Sequence, residues 1–212
     1  ALFSAAKAGE QVIDLCAGAG GKTLALAAMM QGRGRLIATD GDKRQLAPIF
    51  ERLSRAGVHN TEVRAPKGEA DPLADIRGSA DLVLIDAPCT GTGTWRRNPD
   101  AKWRIRPGAL AVRLKAQAEV LDRGVALVKP GGRIVYVTCS VLPAENNAQV
   151  RAFMARQPGF SVAPPAQVAG PLWDKAEDFL AAVLQSPEGL LMTPRRTSTD
   201  GFFVSVLIRN GG

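Results

Sequence analysis

Two apolar runs in this chain end at a cysteine, and both have the composition of buried β-strands. The runs are DLVLIDAPC, which ends at Cys89, and GGRIVYVTCS, which contains Cys139. Continuous apolar runs are typical of parallel strands that are covered on both faces, and an open parallel sheet binds ligands beyond the carboxyl ends of its strands. We therefore expect the two thiols to share one crevice. A thiolate there could attack an electron-poor carbon, with the second thiol as acid or base. Either cysteine alone could instead be a small buried apolar residue.

Strands and helices alternate along the whole chain, which predicts an α/β fold with a doubly wound, mostly parallel sheet. The segment 164–191 is expected to be irregular or partly helical, and a strand that follows such a segment is expected to be antiparallel. Helices are predicted over 22–30, 43–56 and 108–128, and a further one starts at Pro143. Seven strands are predicted, over 11–16, 35–39, 61–64, 81–85, 133–137, 160–163 and 202–208.

Composition limits the class of protein. The 212 residues are 46% hydrophobic, without an apolar run of about 18 residues that could span a membrane, so one α/β domain over 1–212 is expected. Three cysteines are too few for a disulfide framework and favour reduced thiols in the cytoplasm. His59 is the only histidine, which argues against a metal site. The chain begins with Ala1, so we expect an RNA-binding region upstream of it.

Positive charge is concentrated after Cys89. The formal net charge is +7, and residues 95–115 contain seven lysines and arginines against Asp100 alone. Basic side chains interleaved with tryptophans suit phosphate neutralisation and base stacking, although a solvated helix face could have the same composition. RNA is therefore the expected partner. The residues expected to contact it are Arg96, Arg97, Lys102, Trp103 and Arg104.

A glycine-rich loop follows the first predicted strand. Glycines let the backbone approach a ligand closely, and the next helix offers free N–H groups. A phosphate-binding P-loop would need glycine at Cys16, and a dinucleotide loop would need it at Thr23. Asp40, at the end of the second strand, is placed to bind ribose hydroxyls. The pattern thus fits an adenosyl ligand without a pyrophosphate, namely S-adenosylmethionine.

Four stretches in this order carry a family resemblance: IDLCAGAGGKT, LIDAPCTGTGTWRRNPDAKW, KPGGRIVYVTCSVLPAENN and DGFF. They resemble the RNA cytosine-5 methyltransferases, and among them the bacterial RsmB (Sun) type that modifies small-subunit ribosomal RNA. The resemblance covers nearly the whole chain. It implies a Rossmann-like class I methyltransferase fold, with S-adenosylmethionine bound over the glycine-rich loop and methylation of cytosine C5 in RNA.

The resemblance also implies residue roles. Asp40 would hold the ribose, and Asp86 would sit between the cofactor and the target base. Cys139 would be the nucleophile that adds to cytosine C6, and Cys89 would help release the product. Lys22 could contact Asp86 or the cofactor carboxylate. The cofactor would be lined by Cys16, Ala17, Gly18, Ala19, Gly20, Gly21 and Lys22.

The chain departs from the family pattern at two places. Ala19 stands where the family usually has proline, and residues 64–67 lack the aspartate that usually lies near the adenine. The backbone of residues 65–67 could replace that contact, with Glu69 or Asp71 as side-chain candidates. Two alternatives to the cytosine-5 reaction stay open. One is an amino-methyltransferase that would not need Cys139, and the other is an RNA-binding module without catalysis.

Overall fold

In the computed structural model, which describes residues 1–68 and 70–211, nine strands form one mixed sheet. Their order in the sheet is β3-β2-β1-β4-β5-β9-β8-β7, and β6 pairs with β9. The strands in chain order are β1 (Gln11–Asp14), β2 (Arg35–Ala38), β3 (Thr61–Val63), β4 (Ala80–Asp86), β5 (Val128–Thr138), β6 (Phe160–Val162), β7 (Leu184–Ser186), β8 (Gly189–Met192) and β9 (Phe202–Arg209).

Helices connect most of these strands, which confirms the predicted α/β class. The α-helices are α1 (Gly21–Met29), α2 (Lys43–Leu46), α3 (Ile49–Arg55), α4 (Ala109–Leu127), α5 (Asn147–Arg156), α6 (Pro165–Ala169), α7 (Ala176–Ala182) and α8 (Pro194–Thr197). Short 3-10 helices cover Leu2–Ser4, Ala74–Ile76, Thr92–Thr94, Pro99–Arg104 and Gly170–Lys175. No helix in the described part of the chain is long and apolar enough to cross a membrane.

Contacts divide the described chain into two compact units. The first unit comprises residues 1–86, 123–135 and 209–211, and the second comprises residues 87–122 and 136–208. The loop after β1 belongs to the first unit, whereas Cys89 and Cys139 both belong to the second. One domain over the whole chain stays a prediction.

The first unit contains the parallel strands that the apolar runs predict. β1 pairs in parallel with β2 and β4, and β2 pairs in parallel with β3. Ile13 lies between Ile37 and Val83 in this register, and all three are fully buried. Both faces of these strands are covered, so a polar residue within them is unusual. Asp14, at the end of β1, is such a residue and is fully buried.

The last strand is antiparallel to its neighbour, as predicted: β9 pairs antiparallel with β8. The two strands beyond the predicted seven, β7 and β8, form an antiparallel pair inside the segment expected to be irregular. They are short, and buried Leu190 of β8 lies opposite buried Val204 of β9. Pairing with a distant strand stabilises β8, and local sequence periodicity does not reveal such a contact.

The helix predicted over 43–56 is divided in the structure. Pro48 separates α2 from α3, since proline has no backbone N–H to donate into a continuous helix. The side chain of Asp42 caps the first piece by accepting a hydrogen bond from Arg44 N at 2.9 Å.

The prediction of a helix that starts at Pro143 is wrong. Residues 143–146 form turns, and α5 begins at Asn147. The reason lies in the side chains of Glu145 and Asn146, which are fully buried and hydrogen-bonded to other loops of the second unit. Asn146 consequently has non-helical backbone angles, with φ −113° and ψ −98°.

Candidate active site

The loop between β1 and α1 is shaped by two glycines with positive φ, Gly18 at +49° and Gly20 at +83°. A Cβ at Gly20 would lie 2.9 Å from Ile49 Cδ1 and closer still to Cγ1, so this position requires glycine. Arg52 fixes the loop from outside by donating a hydrogen bond to Ala19 O at 2.9 Å. The helix then begins at Gly21, which leaves its first N–H groups available to a ligand.

Asp40 lies beside this loop, as the sequence predicts. Its Oδ2 accepts a hydrogen bond from Gly18 N at 3.0 Å, and its Oδ1 accepts one from Asp42 N at 3.0 Å. Each carboxylate oxygen can accept a second bond, so both bonds leave acceptor capacity for ribose hydroxyls. The glycine loop and the acid are therefore positioned together by the ends of β1 and β2.

Asp14, at the end of β1, is a buried acid beside the glycine-rich loop that the sequence-based prediction did not include. Its side chain is fully buried, and Thr23 Oγ1 donates a hydrogen bond to its Oδ2 at 2.7 Å. Burial raises the pKa of this carboxyl group to about 6. Its second oxygen, Oδ1, has no partner in the described residues. An acidic residue inside an otherwise apolar strand was the signal that could have identified it.

Lys22 and Asp86 form an ion pair in the first unit, with both side chains about one-third exposed. Together with Asp40, they give this unit carboxylate acceptors for hydroxyl and ammonium groups and a cation for a carboxylate. An adenosyl amino acid has these groups, so the residues present fit S-adenosylmethionine.

At the expected adenine end, the Asp71 carboxylate is already hydrogen-bonded within the protein. Asp71, one of the side-chain candidates, accepts hydrogen bonds from Arg77 Nη2 at 2.9 Å and Leu73 N at 3.1 Å. The bond from Arg77 lowers the pKa of the Asp71 carboxyl group. Glu69, the other candidate, lies outside the described residues. The backbone of residues 65–67 stays a predicted contact.

The second unit brings the two predicted catalytic cysteines together. The sulfur atoms of Cys89 and Cys139 are 3.4 Å apart, both residues are partly exposed, and neither is in a disulfide. The hydrogen bond with Cys139, and then burial, raise the pKa of the Cys89 thiol. A protonated Cys89 beside a second sulfur can donate a weak hydrogen bond to it, so the pair can hold one proton and one charge.

A backbone contact connects the loop that carries Cys89 with the loop that carries Cys139; we call these the two cysteine loops. Gly93 N donates a hydrogen bond to the carbonyl of Cys139 at 2.9 Å, and Gly201 N donates one to Gly93 O at 2.8 Å. A Cβ on Gly93 would lie 2.8 Å from Cys139 O and 2.7 Å from the carbonyl carbon of Gly201. The three backbone segments therefore approach one another where no side chain fits.

Some of the residues predicted to contact RNA are ion-paired within the protein, whereas others are exposed to solvent. Arg97 Nε lies 2.6 Å from a carboxylate oxygen of Asp200, and Arg96 lies 3.4 Å from the other oxygen. Asp200 is only 7% exposed, so these two arginines neutralise a buried charge. Trp103, in contrast, is 81% exposed, and Lys102 Nζ lies 4.8 Å from its ring centroid. Arg104 is ion-paired with Asp100.

A cavity of about 250 Å³ lies beside Cys89 in the second unit. Arg106 and Arg113, which the residue-level prediction did not include, contribute to it and have no ion-pair partner in the described parts of the chain. The signal was present, since both belong to the basic segment of residues 95–115, but sequence alone does not tell which arginines line a cavity. The lining residues are Cys89, Thr90, Ala101, Arg104, Ile105, Arg106, Ala109 and Arg113.

Cys16 differs from the other two cysteines. Burial, and then the nearby carboxylates of Asp14 and Asp40, raise the pKa of its thiol, which disfavours a thiolate at this position. Across residues 1–68 and 70–211, we find no group of His, Cys, Asp and Glu side chains that could hold a metal ion.

Known proteins resemble this chain in sequence. It is 42% identical over 156 residues to ribosomal RNA small subunit methyltransferase B of Salmonella arizonae, and 36% identical over 201 residues to the protein of the same name from Klebsiella pneumoniae. The matches cover 74% and 95% of this chain, but only 36% and 42% of those relatives. The chain thus spans about two-fifths of the length of these curated relatives.

A solved structure resembles it in fold. The crystal structure of NSun6 from Pyrococcus horikoshii with SFG matches with a TM-score of 0.77 and 25% sequence identity, over 100% of this chain and 52% of that one. In addition, the family of 16S rRNA methyltransferases RsmB/F matches residues 1–208. The match extends over almost the full length of the sequence and includes the glycine loop and both cysteine loops. This chain therefore belongs to the RsmB/F family of 16S rRNA methyltransferases.

Proposed function

We propose that this chain transfers a methyl group from S-adenosylmethionine to C5 of a cytosine in ribosomal RNA. The observation that carries the proposal is the pair of partly exposed sulfurs, Cys89 and Cys139, at 3.4 Å. A single thiol at a strand end has many explanations, but two thiols in contact suit a reaction that forms and then breaks a carbon–sulfur bond. Membership of a 16S rRNA methyltransferase family supports an RNA substrate.

The first unit provides the groups for the cofactor. Asp40 accepts hydrogen bonds from the ribose hydroxyls. Lys22 neutralises the carboxylate or stays paired with Asp86. The SFG ligand in the structure of the Pyrococcus relative, an analogue of S-adenosylmethionine, supports this choice of cofactor. When bound, S-adenosylmethionine supplies a methyl group whose carbon is electron-poor because it is bonded to a sulfonium.

Cys139 starts the reaction because cytosine C5 is a poor nucleophile. Its thiolate forms a bond to C6, and the electrons of the C5–C6 double bond become available at C5. C5 then takes the methyl group, while the electrons of the broken sulfonium–methyl bond stay on the departing sulfur. Asp86, three residues before Cys89 in the chain, shares a proton with N3 of the base as negative charge builds on the ring.

Cys89 acts in the second half of the reaction. A base must remove the C5 proton, and the electrons of that C–H bond restore the double bond while the C6–S bond breaks. Cys139 leaves as a thiolate. Cys89, as the neighbouring sulfur at 3.4 Å, accepts the proton or orients the group that does. Because the raised pKa keeps the Cys89 thiol protonated while Cys139 carries the charge, the second of these two roles, orienting the base, suits Cys89 better.

The basic segment provides the RNA contacts. The cavity beside Cys89 and Thr90 presents Arg104, Arg106 and Arg113, which can neutralise phosphates next to the target nucleotide. Exposed Trp103 offers a surface on which a base can stack. Arg96 and Arg97 contribute less to the RNA contacts in this proposal because they also neutralise buried Asp200, whereas Lys102, stacked on Trp103, remains a candidate.

The test uses the different roles of the two cysteines. Cys89→Ala is incubated with S-adenosylmethionine and small-subunit ribosomal RNA and run on a denaturing gel. We expect a stable protein–RNA band, because addition and methyl transfer proceed while elimination is slowed. The Cys89→Ala, Cys139→Ala double variant must lack the band, and Cys139→Ala alone must be inactive. Cys16→Ala, which removes a thiol outside the pair, is the matched control and must not accumulate the band.

Other outcomes separate the alternatives. Methyl transfer that survives in Cys139→Ser would indicate an amino-methyltransferase. RNA binding without transfer of a tritiated methyl group by the unmodified chain would indicate a binding module. A covalent band that persists in the double variant would show that the nucleophile is a different residue.

A further inference from the structure

Two consecutive residues in the second unit, Glu145 and Asn146, hold the two cysteine loops. Both side chains are fully buried, although carboxylates and amides are rarely buried unless they have partners. They occupy the turn before α5, where the helix predicted from Pro143 fails to form. Neither residue contributes an atom to the proposed chemistry, so their burial needs another explanation.

Glu145 fixes the loop that carries Cys89. Its Oε1 accepts hydrogen bonds from Thr90 N at 2.8 Å and from Gln117 Nε2 at 3.0 Å, and its Oε2 accepts one from Thr90 Oγ1 at 2.5 Å. Gln117 Nε2 also donates to Pro88 O at 3.0 Å. The residues immediately before and after Cys89 are therefore both tied to this carboxylate, directly or through Gln117.

Asn146 does the same for the loop that carries Cys139. Its Oδ1 accepts a hydrogen bond from Thr138 Oγ1 at 2.6 Å, and its Nδ2 donates one to Ser140 O at 2.9 Å. The residues on both sides of Cys139 are thus held by one amide group. The turn itself is fixed, since Tyr136 donates a hydrogen bond from its hydroxyl group to Glu145 O at 2.7 Å.

We propose that Glu145 and Asn146 are positioning residues that together set the separation of the Cys89 and Cys139 sulfurs. Because one peptide unit joins them, one cysteine loop cannot move relative to the other without breaking buried hydrogen bonds. Those of Glu145 are made to a carboxylate and are among the stronger ones in proteins. Reacting groups must be held to within about 0.5 Å, which loops alone rarely achieve.

The role in catalysis rests on the proposed function, but the geometric claim does not. A probe that depends only on the two thiols tests it. Phenylarsine oxide condenses with a pair of thiols: two As–S bonds form, the arsenic–oxygen bond breaks, and the oxygen leaves as water with both thiol protons. No oxidant is needed. The measurement is its dissociation constant, with Cys16→Ser as the background so that two thiols remain.

We expect Glu145→Ala and Asn146→Ala to bind phenylarsine oxide at least tenfold more weakly than the background. The matched control is Asn147→Ala, the next residue, whose amide donates to Ser186 Oγ and Glu188 Oε2 instead of to a cysteine loop. It should bind the arsenical as the background does. The conservative variant Glu145→Gln keeps an acceptor for Thr90 N and should fall between the two.

Milder variants guard against loss of folding. Thr90→Val and Thr138→Val each remove one hydroxyl group that donates to Glu145 or Asn146 and keep the shape of the side chain. They should weaken arsenical binding at least twofold. In methyl transfer, Thr138→Val, which is outside the lining of the cavity beside Cys89, should lower kcat and leave KM for RNA unchanged, because a displaced sulfur slows the chemical step without removing an RNA contact.

The outcomes are distinguishable. Unchanged arsenical affinity in folded Glu145 and Asn146 variants would overturn the positioning role, whatever happens to activity. Weakened affinity in these variants, combined with no methyl transfer to cytosine by the unmodified chain, would support the positioning role and overturn the proposed reaction.

Discussion

Replacement of Gly93 by alanine should be unusually destabilising, even though Gly93 does not have a positive φ. The added Cβ would lie 2.7 Å from the carbonyl carbon of Gly201 and 2.8 Å from Cys139 O, and it would overlap Gly201 O. Backbone atoms cannot move aside as the end of a flexible side chain can. The segments must separate, which breaks the bonds from Gly93 N to Cys139 O and from Gly201 N to Gly93 O.

The size of the effect follows from these two losses. Each hydrogen bond contributes about 1 kcal/mol to stability. Forcing a methyl group into a packed site costs about 1–3 kcal/mol more. The sum is about 4 kcal/mol, which in a chain of this size lowers Tm by roughly 8–16 °C.

Gly91→Ala is the matched control. Gly91 has φ +71°, but among residues 1–68 and 70–211 the only atom within 4 Å of an added Cβ is Thr94 Oγ1, at 3.8 Å. This substitution places a Cβ at a positive φ, which lowers the free energy of unfolding by about 1 kcal/mol, and it creates no steric overlap. Urea denaturation measures both variants, and the midpoint should fall at least twice as far for Gly93→Ala, with similar slopes. If Gly91→Ala is equally or more destabilising, the close approach of the three segments is not what requires glycine at Gly93.

Three further predictions concern binding and pH. Asp40→Ala should weaken S-adenosylmethionine binding by about 1–2 kcal/mol in calorimetry, since a hydrogen bond to a charged acceptor is lost, and unchanged affinity would refute the ribose contact. An Arg106→Gln, Arg113→Gln double variant should reduce the slope of log K against log salt for RNA binding by about 1–2, whereas Arg44→Gln, outside the basic segment, should leave it unchanged. For Asp14, the raised pKa means that its contribution to stability is complete below pH 3.8 and lost as the pH rises through about 6, a loss of about 3 kcal/mol. Urea denaturation of Asp14→Asn from pH 4 to 8 should lack this decline, and an identical pH profile would contradict the buried carboxyl group.

The sequence predicted the parts of the fold that depend on continuous apolar runs. The ends of β1, β2, β3 and β4 differ from the predicted ends by two residues at most, whereas β5 begins at Val128, five residues before its predicted start. The errors arose where a distant contact decides the local structure. β8 forms because it pairs with β9, and the turn before α5 forms because its side chains bond to other loops. Pro48 is a different case, since its effect on a helix is local and could have been predicted.

In the candidate site too, the sequence predicted what strand ends determine and failed where a distant contact decides. Strand ends predicted that Cys89 and Cys139 would meet, and the position of Asp40 relative to the glycine loop followed from strand order. Arg106 and Arg113 belong to a recognisable basic segment, but charge alone did not distinguish them from Arg96 and Arg97. That distinction depends on Asp200, about a hundred residues later in the chain, which pairs with the latter two.

The three cysteines illustrate why residue type and strand-end position are insufficient to assign reactivity. Each follows the apolar run of a strand, yet Cys16 is surrounded by the carboxylates of Asp14 and Asp40, which repel a thiolate in a buried environment. Cys89 and Cys139 instead face each other, so a negative charge on one sulfur is stabilised by the proton of the other. An alkylating reagent such as iodoacetamide should therefore label Cys139, whose thiolate lies beside the protonated Cys89, well before Cys16. Peptide mass mapping of a time course measures the order, and preferential labelling of Cys16 would show that the carboxylates do not control thiol reactivity in this protein.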